Sequence, residues 1–116
     1  MCFAWQGKGK SLAQVAADYH EAARRSLIDY AFHLTITDPT DEVMKNELPP
    51  LVAAGNRSIK IFMTYDGARV NDTQVLRILA EARKLGALVC VHAEHHEMIV
   101  FLTEQLLAAG LTAPMY

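Results

Sequence analysis

The chain has 116 residues, 52% hydrophobic and 21% charged, with a formal net charge of −2. That is one domain at most, apolar enough to bury a core. The absence of a Lys/Arg cluster argues against a nucleic-acid footprint, and no apolar run approaches the roughly 20 residues that span a bilayer.

Met1 to Trp5 is too short and too lightly flanked for a signal peptide, and Trp5 with Gly7-Lys8-Gly9-Lys10 reads as a loop without phosphate-loop spacing. Leu12, Val15, Ala16, Tyr19 and Ala23 recur at helical spacing, predicting a helix over 11–25 with Ser11 as N-cap and Arg24-Arg25 on a solvated face. Leu27 to Thr37 switches to period two: Tyr30, Phe32, Leu34 and Ile36 on one face, Asp29, Ala31, His33 and Thr35 on the other. Asp38-Pro39-Thr40-Asp41 is a turn, followed by a short helix to Lys45 that Pro49-Pro50 breaks, and by a second ending at Gly55-Asn56. Ser58 to Tyr65 is an apolar strand. Asp66-Gly67 turns the chain, Asn71 or Asp72 caps a helix to Leu85, and Gly86 stops it. A third strand, about 87–92, leads to a last helix over about 97–109 that Gly110 ends.

The alternation predicts an α/β fold of about three βα units, with parallel strands and helices outside, in one domain over 1–116. Cys2 and Cys90 make no disulfide framework; Cys90 reads as a core residue, and a reducing cytoplasm follows as the location.

Lys60 stands in the apolar middle of its strand, and His92 ends the next one. Strand parity places His33, Lys60 and His92 on one face, opposite the fuller Ile/Val face. A neutral imidazole is a ready ligand for a borderline divalent metal. A lysine ammonium is not, but burial penalises its charge, and the free amine can add carbon dioxide to become a carbamate. That anion can bridge two metal ions, which together activate a shared water and polarise a carbonyl. Without its flanking residues, Lys60 reads instead as an edge-strand lysine snorkelling to water. His33 reads as a buried, hydrogen-bonded side chain, and His95 and His96 as the start of a surface loop and helix.

The stretches Asp29 to His33, Gly55 to Tyr65 and Leu85 to Glu94 resemble the dihydropyrimidinase/hydantoinase group of the cyclic amidohydrolases, in the right order over nearly the whole chain. The resemblance implies part of a metal-dependent (β/α)8 barrel. Lys60 would be the carbamylated, metal-bridging lysine (N6-carboxylysine), His92 a metal ligand, and Tyr65 the catalytic group that binds the substrate carbonyl and the oxyanion. It implies two divalent metals, zinc first and manganese or cobalt next, with carbon dioxide for the carbamate. The substrate would be a dihydropyrimidine or 5-substituted hydantoin, opened by hydrolysis, with no nucleic-acid or membrane partner, and the full protein a homotetramer. The group's first-strand His-x-His pair does not occur here, its later ligands are expected beyond Tyr116, and His95-His96-Glu97 departs from the usual continuation after His-Ala-Glu. A full barrel needs about 250 residues, so residues 1–116 read as an internal slice, inactive alone. Allantoinase or dihydroorotase chemistry, a metal-free scaffold of the same group, and a truncated frame without activity are the alternatives.

Overall fold

The computed structural model describes residues 2–114. Four strands, β1 (Cys2–Trp5), β2 (Phe32–Thr35), β3 (Ser58–Phe62) and β4 (Leu88–His92), form one parallel sheet in chain order. The helices are α1 (Leu12–Ala23), α2 (Leu48–Ala53), α3 (Asp72–Leu85) and α4 (His96–Ala108), with a π-helical turn, Val43–Glu47, leading into α2.

Four strands stand where the sequence predicts three, because the short, mostly exposed Cys2–Trp5 has no local strand signal. β1 is held by tertiary pairing: Cys2, Phe3, Ala4 and Trp5 lie beside Phe32, His33, Leu34 and Thr35. Gln6, fully buried, secures the strand end: its side-chain oxygen accepts from the Thr37 and Asp38 N–H groups, both at 3.1 Å. The predicted β2 began too early. Leu27 and Ile28 are 101% and 80% exposed, and the Ser26 hydroxyl folds them into a turn by donating to the Ile28 carbonyl at 2.8 Å.

The prolines do not break a helix; they open one. Pro49 and Pro50 fall in the first turn of α2, where backbone N–H groups have no intrahelical acceptor to lose. Elsewhere the capping chemistry matches the sequence. The Ser11 hydroxyl accepts from the Gln14 N–H at 3.1 Å. Asn71 and Gln74 form a reciprocal capping box on α3, and Gly86 closes that helix at φ 69°.

One face of the sheet is covered. Ala4, Leu34, Ile59 and Ile61 are fully buried beneath Leu12 and Ala16 of α1, Leu48 and Val52 of α2, and Ile78 and Ala82 of α3. Each buried branched side chain there contributes about 1.5–3 kcal/mol. The opposite parity is more open: Phe3, Trp5 and Leu88 are 47%, 42% and 67% exposed, although Thr35 and Phe62 on the same side are buried. α4 supplies no buried residue. No helix is long and apolar enough to cross a membrane among the described residues.

Candidate metal-ligand pair and its tyrosine

The open face carries the candidate residues. The β3–β4 register sets Lys60 beside Cys90 and Phe62 beside His92, so Lys60 and His92 share a face one strand and two positions apart. A rise of about 3.3 Å per residue and a spacing of about 4.8 Å between strands put their Cα atoms roughly 8 Å apart. Long side chains span such a gap.

Lys60 is half-buried rather than sunk in the core. Its Nζ lies 4.8 Å from the Phe62 ring centroid, a cation–π contact. Among the described residues no carboxylate pairs with it. Cys90, expected in the core, sits half-buried beside Lys60 on the open face, because β4 alternates and its Val89 and Val91 take the covered side. Thr35, the β2 neighbour of Lys60, is fully buried, and its hydroxyl is the one buried side-chain polar atom without a partner among the described residues. His33 shares the face: its Nδ1 lies 2.6 Å from the Ser58 hydroxyl, hydrogen-bonded as the sequence suggests but half-buried rather than buried.

His92 is the hub of a small cluster. Its Nε2 is 2.7 Å from Glu94 Oε2 and 3.3 Å from the Tyr65 hydroxyl, and its ring stacks on Phe62 at 5.5 Å between centroids. Glu94 is absent from the residues the sequence suggests, although a carboxylate two residues beyond a strand-end histidine is placed to reach it. The carboxylate can only accept, so in a neutral ring Nε2–H donates to it and Nδ1 is the lone-pair nitrogen. A metal-binding histidine characteristically donates its second N–H to a carboxylate in this way. The donor set therefore fits a metal in part. Among the described residues no three His, Cys, Asp or Glu side chains cluster as a metal site, so Lys60 and His92 supply an incomplete set of donors.

Tyr65 is the one non-glycine residue with positive φ among the described residues, at 72°. The left-handed region costs a side-chain-bearing residue roughly 1–2 kcal/mol, and such strain clusters at functional sites. β3 ends at Phe62, three residues short of its predicted limit, and the Tyr65 ring lies 5.0 Å from that of His92.

Next to this cluster, off the ends of β3 and β4, a cleft of about 540 Å³ opens between Met63, Arg69, Asn71, Glu94, His96 and Glu97. Lys60 and His92 lie outside its lining. Glu97 is bonded to Arg69 at 3.0 Å. Its carboxyl is held below the usual range, first by its own backbone N–H at the start of α4 and then by the Arg69 guanidinium. The sequence put both His95 and His96 at the surface. His95 does cap α4 there, but the His96 side chain is only 14% exposed, packed against the loop that carries Tyr65.

Comparison with known proteins gives this geometry a context. No family model matches the chain. The D-hydantoinase of Ralstonia pickettii is 40% identical over 116 residues, covering 98% of this chain and 25% of that protein. The chain is homologous to one quarter of a D-hydantoinase. A solved D-hydantoinase superposes with TM-score 0.90 at 40% identity, again over 98% of this chain and 25% of the other. The dihydropyrimidinase of Brevibacillus agri does so with TM-score 0.88 at 42% identity, with the same two coverages. The chain thus spans about a quarter of the length of the relatives it matches, and the resemblance read from three short stretches extends along the whole of it.

Proposed function

We propose that this chain carries part of the catalytic barrel of a cyclic amidohydrolase acting on dihydropyrimidines or 5-substituted hydantoins. The observation that supports it most is that Lys60 and His92 share the open sheet face, with a strained Tyr65 in the loop after β3 whose hydroxyl lies 3.3 Å from His92 Nε2. On this reading residues 1–116 form a segment of a (β/α)8 barrel whose interior is the face of Lys60 and His92.

Lys60, carbamylated by carbon dioxide, would offer an anionic oxygen donor to each of two divalent ions, and His92 an imidazole nitrogen to one. Zinc suits that mixed donor set, and manganese or cobalt would also be accepted. The bound ions would supply Lewis acidity toward the ring carbonyl and an activated water. Glu94 orients His92 by accepting its Nε2–H. The Tyr65 phenol donates to the substrate carbonyl oxygen and, more strongly, to the oxyanion as negative charge develops there. The remaining donors come from other parts of the complete enzyme, a homotetramer on this reading, so the 116 residues alone do not turn over substrate.

The test is metal analysis of the complete protein that contains this segment. Lys60→Ala is expected to remove bridging metal and nearly all ring-opening activity. Tyr65→Phe is expected to keep metal and lower turnover by about 10²–10³-fold, the loss seen when one oxyanion donor is removed. Unchanged metal stoichiometry and rate in Lys60→Ala would end the carbamate reading.

A further inference from the structure

The left-handed backbone of Tyr65 needs something to hold it, and α4 is placed to do so. Tyr65 lies between Thr64, which is 3% exposed, and Asp66 at the tip of the loop from β3 to α3. His96 reaches both neighbours. Its Nδ1 lies 3.3 Å from the Thr64 hydroxyl, and its Nε2 lies 3.7 Å from Asp66 Oδ1. The Thr64 contact is at hydrogen-bond distance, whereas the exposed Asp66 carboxylate stands at ion-pair distance from the other ring nitrogen. One planar ring thereby spans the residues before and after Tyr65.

The next turn of the same loop is tied to the same helix end. The Tyr65 carbonyl accepts from the Ala68 and Arg69 N–H groups at 3.1 and 3.0 Å, and the Arg69 guanidinium reaches Glu97 at 3.0 Å. Exposure separates the two adjacent histidines: His95 shows 66% of its side chain to solvent, His96 only 14%. His96 is built into the loop, whereas His95 merely caps the helix.

We propose that His96 is a positioning residue that clamps Thr64 and Asp66, keeps Tyr65 left-handed, and so aims the phenol at His92. Its catalytic meaning rests on the reading of Tyr65 as the carbonyl-binding group; its conformational content does not. Glycine accepts positive φ without side-chain strain, so a glycine at 65 would make the clamp unnecessary.

That dependence supplies the experiment, on isotopically labelled protein with variants His96→Ala, His96→Asn, Tyr65→Gly and the His96→Ala/Tyr65→Gly pair. Tyr65 backbone chemical shifts and its N–H to Hα coupling report the left-handed conformation; ring contacts between Tyr65 and His92 report the aim of the phenol. His96→Ala is expected to move Tyr65 out of the left-handed region and abolish the ring contacts. His96→Asn, which keeps a polar atom toward Thr64, is expected to preserve both. The Tm drop on His96→Ala, roughly 5 °C, should fall to less than half that beside Tyr65→Gly. Tyr65 remaining left-handed in His96→Ala would overturn the proposal, and so would strictly additive Tm shifts. If His96→Ala does not fold, the pair with Tyr65→Gly should, and its failure to fold would overturn the proposal too. Metal content decides the amidohydrolase reading separately, so a clamp without metal and metal without a clamp are distinct results.

Discussion

The two faces of the sheet are one residue apart along every strand and obey different rules. On the covered face, Ile59 and Ile61 are fully buried and interchangeable in kind with any well-packed aliphatic. On the open face, Lys60 stands between them in sequence, half-buried, with Cys90 beside it and His92 farther along the neighbouring strand. Parallel sheets bury both faces as a rule, yet β3 and β4 place Ser58, Lys60, Cys90 and His92 at four of their ten positions, all on this face. The covered face carries stability, and the open face is where the proposed chemistry would lie.

Neighbouring substitutions sharpen that contrast. Ile59→Ala is expected to destabilise the fold by about 2–5 kcal/mol, through lost transfer energy and the cavity left behind; urea denaturation measures it. Thr35→Val is expected to move the other way, by about 1 kcal/mol, because it removes a buried hydroxyl with no partner. A loss of stability there would mean that the hydroxyl is satisfied by something outside the described residues. Lys60→Met, adjacent to Ile59, is expected to change stability by no more than about 0.5 kcal/mol. A large loss on that substitution would erase the distinction between the faces.

The smallest effect is electrostatic and lies on the covered side. The Asp41 carboxyl is held below its usual range by a hydrogen bond from Lys45 and then one from Arg77 of α3. A depressed folded value means that its stabilisation is present above the unfolded value of about 3.9 and is lost as pH falls through the lower folded value. The Tm difference between the parent and Asp41→Asn should therefore be constant near neutrality and vanish in acid. A difference growing toward low pH would reverse the sign.

The parity of the open face could be read in advance, because alternation in Ser58 to Phe62 and Leu88 to His92 fixes which side chains share a side. Helix ends were equally plain where one residue does the capping, as Ser11, Asn71 and Gly86 do. What escaped were features set by distant partners. β1 has four residues and two exposed aromatics, and only β2 makes it a strand. The proline pair resembles a breaker until a π-helical turn delivers it to a helix start, with the Leu48 N–H bonded to the Val43 carbonyl just before it. Glu94 finds His92 two residues back along its own chain, but His96 gains its partner only when the loops after β3 and β4 meet. The positive φ of Tyr65 has no glycine or asparagine to announce it.

α4 follows yet another rule. Its 13 residues include Phe101 and Leu102, 60% and 53% exposed, and none that is buried. A helix of that length is marginal in water on its own account. Its first turn is pinned through His96 and Glu97, so unwinding would begin at Ala108 and travel backward toward the pin. The amide protection of its last turns is therefore a gauge of covering. Slow exchange there would register that something has come to lie against the helix, before any catalytic assay could be run.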